Sequence, residues 1–428
     1  MFQTLKNAWK TPEIKAKLLF TLLIVLLYRL GANIPVPYLN ADYRLQAEGI
    51  FGYLNILSGG AFSQATLFAL GVSPYITSSI VMQLLTIAIP ALERLSKDGE
   101  EGRKKITSIT RYVTVILALI TSIGYAMLLK SQTGMLIRDD KFSMIVIVAC
   151  YCAGSSLVMW LAEKINDNGI GNGISMILFA NIIAGVPGTA QQMWSMISSR
   201  TGSVGSLILG IALFVLSLVL AILVIIVIIW MSDSERRIPV QYAKKVVGRK
   251  MYGGQGTNLP LKLNMTGVMP IIFASSIVSI PATIASFFPN SSFWQGFSKV
   301  FNYNTWLYII VEFLLLIAFA YFYVAISFNP VEVSNNLKKQ GGAVPGIRPG
   351  KPTSDYITRV LNRITLVGAL ILSVICIFPM AINIIAGGQF ASLAFGGSSI
   401  IIVVGVVLET FREIEAQLSL RNYKGFLD

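Results

Sequence analysis

Histidine is absent from the 428 residues of this chain, and charged side chains make up only 13% of it. The absence of histidine excludes serine–histidine and cysteine–histidine catalysis, histidine-ligated zinc and histidine proton relays. Soluble domains carry about 25% charged residues, so the low charge excludes an ordinary soluble enzyme and a disordered chain. The hydrophobic fraction is 54% and the mean hydropathy is +0.70. These values predict a polytopic membrane protein.

Cysteine is also scarce. The three cysteines, Cys150, Cys152 and Cys376, all lie in apolar stretches. They form neither a disulfide framework nor a CxxC pair, so we interpret them as small buried side chains. No zinc motif and no phosphate-binding loop of the GxxxxGK[ST] type occurs in the chain. We therefore expect no cofactor and no enzymatic activity.

Long hydrophobic runs dominate the sequence. A bilayer core is about 30 Å thick, so a spanning helix needs about 20 mostly apolar residues. Ten segments have this character: 18–36, 72–91, 107–129, 142–162, 173–188, 205–231, 266–288, 305–328, 361–383 and 396–412. They predict an all-α fold of ten transmembrane helices, with both termini on the same side of the membrane.

The cations are distributed unevenly between the two sides of the predicted bundle. The chain has 34 Lys and Arg against 20 Asp and Glu, a net charge of +14. The two termini and the connections on their side hold 26 of the cations, whereas the connections on the opposite side hold 6. By the positive-inside rule, the N- and C-termini and the basic loops are therefore cytoplasmic.

Two of these cytoplasmic loops, 232–265 and 329–360, are long as well as basic. Short loops would anchor the topology or touch anionic lipid equally well, so we interpret the long ones as a docking surface. The first loop contains Arg236, Arg237, Lys244, Lys245, Arg249 and Lys250. In the second, the glycines and prolines between Asn335 and Tyr356 predict a shaped, projecting loop rather than a helix, with Arg348 at its tip.

Residues 55–74 have an unusual composition for an external connection. The stretch NILSGGAFSQATLFALGVSP is apolar and rich in glycine, but it is too short and too broken to span a bilayer. Irregular backbone at membrane depth survives only where protein buries it or where it lines a cavity. The composition leaves two interpretations open, a re-entrant segment that fills a cavity and an ordinary surface cap.

The second and seventh spans carry small and hydroxyl side chains at close spacing. Such residues permit close helix contact and hydrogen bonds between helices. They fit either tight packing in a rigid bundle or a seam between two helices that can part, and spacing does not decide between these. The eighth span contains a carboxylate, Glu312, which is a residue type that ion-coupled transporters require.

Five longer stretches carry a family resemblance: GVSPYITSSIVMQLL (71–85), NDNGIGNGISMILFANIIAGVP (166–187), ERRIPVQYAKK (235–245), LPLKLNMTGVMPIIFASSI (259–277) and GAVPGIRPGKPT (342–353). Together, in this order along the whole chain, they resemble the SecY family. That family comprises the central subunit of the bacterial Sec protein-conducting channel and the alpha subunit of the eukaryotic translocon. The resemblance implies two halves of five helices, 1–190 and 191–428, related by inverted pseudo-symmetry and closing like a clamshell.

The resemblance also assigns roles to individual residues. It implies a plug over residues 55–68, represented by Asn55, Leu57, Gly59, Gly60, Phe62 and Phe68. It implies a pore ring of aliphatic side chains formed by Ile76, Ile80, Leu178, Ile182, Ile272 and Ile402. The i,i+4 spacing within the first two pairs independently places each pair on one helix face. It implies a lateral gate between the second and seventh spans, at Ser79, Gln83, Ser275, Ser276 and Ser279. It implies that Arg348 and the basic residues of the 232–265 loop bind a motor or a ribosome.

The function that follows from the resemblance is a protein-conducting channel in the bacterial cytoplasmic membrane. Such a channel passes unfolded secretory preproteins across the membrane, recognises signal sequences and releases hydrophobic segments sideways into the lipid bilayer. The implied partners are the motor ATPase SecA, the ribosome, and the small membrane subunits SecE and SecG. The alternative is a secondary solute transporter with inverted repeats, which would work without a soluble ATPase or a ribosome.

Overall fold

The computed structural model describes residues 2–40, 42–45, 50–131, 134–198, 204–242, 245–247, 250–252, 256–287, 291–294, 296, 305–385 and 396–424. Most of these residues are helical. The helices are α1 Phe2–Lys10, α2 Pro12–Gly31, α3 Ile50–Leu57, α4 Ser73–Ala88, α5 Pro90–Lys97, α6 Gly99–Ser131, α7 Lys141–Asn168, α8 Gly173–Ser198, α9 Val204–Asp233, α10 Met269–Phe287, α11 Trp306–Ser327, α12 Pro330–Lys339, α13 Lys351–Ile385 and α14 Gly396–Lys424.

Each of the ten predicted apolar segments overlaps one of these helices. Helix length and composition alone make four of the described helical stretches suitable to cross a membrane, namely α6, α7, α13 and the stretch Trp306–Lys339. The bent pair α4–α5 is a fifth, and α8, α9 and α10 contain shorter apolar runs. The helical class and several apolar spans are therefore established, whereas the count of ten spans stays a prediction.

The second predicted span, 72–91, is interrupted before its end. Helices α4 and α5 meet at an angle of 100°, and Ile89 between them is extended, with φ −107° and ψ 114°. Proline disfavours the α conformation in the residue before it and fits the first turn of the helix after it. Pro90 therefore ends α4 at Ala88 and begins α5 in a new direction.

The prediction of a loop over residues 335–356 was wrong at both ends. Helix α12 continues to Lys339 and α13 begins at Lys351, so only 340–350 is non-helical. The side chain of Asn329 accepts hydrogen bonds from the Val331 and Glu332 amides and caps α12. Such a cap is a strong helix start. Pro352, interpreted as a loop residue, lies in the first turn of α13, where proline is compatible with a helix.

The 232–265 loop folds into strands, which the sequence analysis did not predict. Strands β1 (Glu235–Tyr242), β4 (Gly256–Lys262) and β5 (Gly342–Ala343) form an antiparallel sheet in the order β4-β1-β5. Strands β2 (Lys245–Val247) and β3 (Lys250–Tyr252) pair separately. The pairing of β1 with β5 joins the two long basic loops into one structure.

The helices meet along two seams between an earlier set, α1–α8, and a later set, α9–α14. At one seam α10 packs against α4 and α6, and at the other α14 packs against α8 and α1. The largest cluster of buried side chains lies between the two sets and draws members from both. The boundary predicted at residue 190 falls within α8. The division into two pseudo-symmetric halves stays a prediction.

Candidate functional site

The six side chains predicted to form the pore ring lie together in one buried hydrophobic cluster. They are Ile76 and Ile80 on α4, Leu178 and Ile182 on α8, Ile272 on α10 and Ile402 on α14, and each is between 1% and 6% exposed. We call these six residues the aliphatic ring. The structure thus brings together, from four helices of both sets, residues that are up to 326 positions apart in the chain. Tight packing and a closed constriction bury aliphatic side chains equally, so the pore role stays a prediction.

The predicted plug, hereafter the 55–68 segment, shares the buried hydrophobic cluster of the aliphatic ring. Ala61 and Phe68 belong to the same buried cluster, and Leu57 packs against it. Phe62 lies in a second cluster, between α6, α7 and the connections that contain Val36, Leu39, Leu45 and Met135. Because these positions are buried inside the bundle, they favour the cavity-filling interpretation over the surface cap.

Gly59 and Gly60 give this segment its sharp turn after α3. Both have positive φ, +65° and +92°, a region that glycine adopts without steric strain. A Cβ on Gly59 would lie 2.5 Å from Arg29 Nη1 and 2.9 Å from Asn181 Oδ1. Gly59 therefore satisfies both a conformational requirement and a close approach between the segment and helices α2 and α8.

The segment is also held by polar groups that the sequence analysis did not select. Asn181 is fully buried on α8, and its Nδ2 donates to the Leu57 carbonyl at 2.7 Å and to the Tyr28 hydroxyl at 2.8 Å. The Tyr28 ring stacks on Phe68 with centroids 5.4 Å apart. A polar amide in the middle of an apolar helix is the sequence signal that marks Asn181, since such residues are costly in a membrane unless they have partners.

The predicted gate residues lie on two helices that pack against each other, α4 and α10. Hydroxyls on α10 donate to backbone carbonyls of their own helix: Ser275 to Ile271 at 2.8 Å, Ser276 to Ile272 at 2.6 Å and Ser279 to Ser276 at 2.6 Å. On α4, Gln83 Nε2 donates to Ser79 Oγ at 3.3 Å.

Tyr323 on α11 contacts one of the predicted gate residues, and the sequence analysis did not select it. Its hydroxyl donates to Gln83 Oε1 at 2.9 Å and so bonds α4 to the later set of helices. Its ring also packs on Phe273 of α10, with centroids 5.1 Å apart. One tyrosine among many in an apolar helix carries no sequence signal for this role.

Arg348 is exposed in the irregular stretch after β5, within the predicted loop. Its carbonyl accepts from Thr353 Oγ1 at 2.8 Å, and the nearby Gly350 carbonyl accepts from Ser334 Oγ at 2.7 Å. These bonds fix the backbone of the turn. Within the described parts of the chain, the Arg348 guanidinium has no hydrogen-bond or ion-pair partner. It is therefore presented to solvent on an ordered backbone.

The other basic residues predicted for docking are only partly described. Arg236 and Arg237 are exposed on β1, and Arg237 pairs with Glu235 at 2.7 Å. Lys245 and Lys250 lie in β2 and β3, where only the backbone is described, and Lys244 and Arg249 fall outside the described residues. On β4, burial and Arg412 lower the pKa of Lys262, while Asp233 and Glu235 oppose that change.

The acidic residue and the cysteines within the apolar helices have distinct surroundings. Glu312 is 1% exposed on α11, and its Oε1 lies 3.8 Å from the Sγ of Cys376 on α13. Its Oε2 has no hydrogen-bond partner among the described residues. The prediction of buried cysteines is confirmed for Cys376, whereas Cys150 and Cys152 are partly exposed on α7.

The helical fold is similar to that of a known class of protein-conducting channel. A solved structure described as a protein-conducting channel aligns with a TM-score of 0.68 at 17% identity, covering 96% of each chain. A SecY channel in a study of its plug domain aligns with a TM-score of 0.65 at 17% identity. Sec61 in a canine ribosome–channel complex aligns with a TM-score of 0.63 at 15% identity. Both also cover 96% of each chain.

The sequence comparison is more specific than the fold. The protein translocase subunit SecY of Streptomyces galbus is 43% identical over the full length of both chains. The family model for SecY matches residues 66–411. The chain belongs to the SecY family.

Proposed function

We propose that the chain is the channel subunit of a protein translocase in the bacterial cytoplasmic membrane, with ten spans and cytoplasmic termini. The observation that carries this proposal is the aliphatic ring, buried between two sets of helices in one hydrophobic cluster with residues of the 55–68 segment. A solute site at the centre of a bundle needs polar or charged groups that bind the solute. A ring of six aliphatic side chains binds no specific solute.

The chemistry of the ring suits an unfolded polypeptide of any sequence. Narrow aliphatic rims wet poorly and therefore impede ions and water when empty. They form no directional bonds, so they surround a passing chain without retaining it. A hydrophobic segment leaves sideways because its transfer to lipid is favourable by roughly 25 cal/mol per Å² of apolar area. The seam between α4 and α10 is the exit that we propose.

The channel itself carries no identified energy source, so a cytosolic partner drives transport. The basic sheet with Arg348 at its exposed turn is the surface that we propose for this partner. By family resemblance the partner is SecA or a ribosome, and SecE and SecG are the neighbouring membrane subunits. The sheet joins both basic loops, so one partner can contact both.

The decisive experiment is reconstitution of the chain with its membrane partners into vesicles, with a motor ATPase and a labelled preprotein. Protease-protected preprotein that depends on ATP supports the channel. The carboxylate Glu312 is the observation that favours the alternative, a secondary solute transporter. Such a transporter would move a solute with no motor and would give no protected preprotein.

Substitutions in the ring test the proposed pore directly. We expect serine at Ile76, Leu178 and Ile272 to raise the closed-state ion conductance of single channels in planar bilayers, because polar rims wet more readily. Ile177 and Ile271 are matched controls, since both are fully buried in the same cluster one residue from ring positions. Serine at these two positions should reduce stability without raising conductance. Equal conductance in both sets would contradict the ring assignment.

A further inference from the structure

The backbone of the 55–68 segment is held by side chains from several surrounding helices. Four of its carbonyls accept hydrogen bonds from side chains outside the segment: Leu57 from Asn181 on α8, Gly59 from Arg29 on α2, Phe62 from Tyr125 on α6, and Ala65 from Tyr151 on α7. All four donors belong to the earlier set of helices. Bonds to backbone carbonyls do not depend on the side chains of the segment.

Two of these donors, Tyr125 and Tyr151, form a buried pair on adjacent helices. They are 4% and 0% exposed, and their rings meet edge to face with centroids 5.0 Å apart. The Tyr125 ring also packs on Phe62, with centroids 4.7 Å apart. The hydroxyl of Tyr151 donates to the Ala65 carbonyl at 3.0 Å. Each tyrosine therefore makes an aromatic contact and a separate hydroxyl contact, and the two can be removed independently.

The two hydroxyls bond to carbonyls in a buried part of the segment. Phe62 and Ala65 are buried, and a buried carbonyl that loses a hydrogen bond is destabilised. The Phe62 carbonyl also accepts from the Ala65 amide at 3.3 Å, so the Tyr125 hydroxyl supplements that bond. Ala65 has a positive φ of 49°, which is strained for a residue other than glycine. Such a conformation persists only when surrounding contacts maintain it. The Tyr151 hydroxyl bond to the carbonyl of this residue is one such contact.

We propose that Tyr125 and Tyr151 are positioning residues that hold the 55–68 segment against α6 and α7. Their hydroxyl bonds thereby determine how often the segment leaves its buried position. This inference rests on the proposed channel function. It adds that widening the seam between α4 and α10 does not by itself free the segment, because these two bonds lie within the earlier set of helices. Both hydroxyl bonds must break before the segment moves.

The test uses a reporter cysteine in the segment of the full chain in vesicles. In a background with Cys150, Cys152 and Cys376 replaced by alanine, Gln64→Cys is modified with a membrane-impermeant maleimide. Tyr125→Phe and Tyr151→Phe retain the rings and remove the hydroxyls. Each should accelerate modification roughly three- to tenfold, the range expected for loss of one hydrogen bond. Tyr112→Phe is the matched control, since Tyr112 lies on α6 and is 73% exposed.

Further readouts separate this role from general destabilisation and from the proposed function. ATP-driven translocation per channel should be unchanged or raised in both variants, whereas a merely structural role would lower it. An unchanged modification rate in the double variant overturns the proposal, as does a rate equally raised by Tyr112→Phe. If the double variant does not fold, Tyr151→Phe alone decides. If wild-type channels translocate no preprotein but the hydroxyl variants still expose the cysteine, the channel function fails and the positioning role stands.

Discussion

At the scale of single residues, Gly59 and Gly60 provide a matched pair within the 55–68 segment. Both have positive φ, so alanine at either position introduces strain of about 1–2 kcal/mol. Only at Gly59 would the new Cβ also collide with Arg29 and Asn181, whereas at Gly60 the nearest atom is Gln64 Nε2 at 4.0 Å. We expect the closed-state conductance of Gly59→Ala in planar bilayers to be well above that of Gly60→Ala. Similar conductance in the two variants would show that the close approach at Gly59 is unimportant.

Some site residues could be predicted from the sequence and others could not, because the two groups need different information to be identified. Family resemblance supplied all six ring positions, and helical spacing agrees with it for the pairs Ile76 with Ile80 and Leu178 with Ile182. Tyr125 and Tyr151 act through hydroxyl bonds to carbonyls 63 and 86 positions away in the chain. No local pattern specifies such a pairing, because the acceptor is backbone and any residue supplies it.

At the scale of helices, the hydrogen bond between Tyr323 and Gln83 joins α11 to α4. Loss of one such bond between helices in a membrane weakens their association by about 1 kcal/mol. We therefore expect Tyr323→Phe to favour opening of the seam and to allow translocation of a preprotein with a defective signal sequence. The measurement is protease-protected product in reconstituted vesicles.

The matched control for this prediction is two residues away on the same helix. The Tyr321 hydroxyl donates to the Asn362 carbonyl on α13 at 3.1 Å, and among the described residues it makes no hydrogen bond to α4. Tyr321→Phe should leave signal selection unchanged. If both variants relax selection equally, the bond to Gln83 has no special role in the gate.

Helix positions were predicted well because an apolar run of about 20 residues in a bilayer has few alternatives to a helix. The ends of the elements were predicted less well. The cap at Asn329 and the position of Pro352 extend helices into a stretch that its glycines and prolines had marked as loop. The β1–β5 pairing joins residues about 100 positions apart. Such a pairing depends on tertiary contact, so the charges of the 232–265 loop were recognised but its sheet was not.

At the scale of the whole molecule, α14 bonds the end of the chain to the earlier helices. Glu413 Oε2 accepts from the Gly171 amide, in the turn between α7 and α8, at 2.7 Å. Ile414 packs with Ala8, Ile14 and Ile170 in the same region. We expect Glu413→Ala to lower the free energy of unfolding by about 1.5–3 kcal/mol, the range for a hydrogen bond to a charged group. Thermal unfolding in detergent measures it.

Glu415 is the control for Glu413. It is exposed, and its bond from Thr4 Oγ1 is longer, at 3.3 Å. Exposed polar contacts of this kind contribute little to stability. Glu415→Ala should therefore leave the unfolding temperature almost unchanged. A decrease in the unfolding temperature as large as that caused by Glu413→Ala would mean that the charge at the end of α14 matters, and not the specific bond to Gly171.

The docking surface provides the last prediction, because it concerns how the whole channel meets its driving partner. Arg348 is exposed on a turn whose backbone is fixed by Thr353 and Ser334, so little entropy is lost when a partner binds it. Its planar guanidinium offers five donors that lysine cannot reproduce. We expect Arg348→Glu to abolish ATP-driven translocation at unchanged channel levels, and Arg348→Lys to restore it only partly.

Two further measurements make this prediction specific to the turn. Arg359→Glu reverses an exposed charge on α13 and should retain most translocation activity. This control separates the effect of the position of Arg348 from the effect of net charge.

The basic residues of the 232–265 loop should add a distributed attraction to the motor that weakens with salt, since exposed charges are screened within about 8–10 Å at physiological ionic strength. The Arg348 effect should persist at higher salt, because it depends on a specific fork of donors. Wild-type translocation by Arg348→Glu would show that the partner binds elsewhere on the cytoplasmic face.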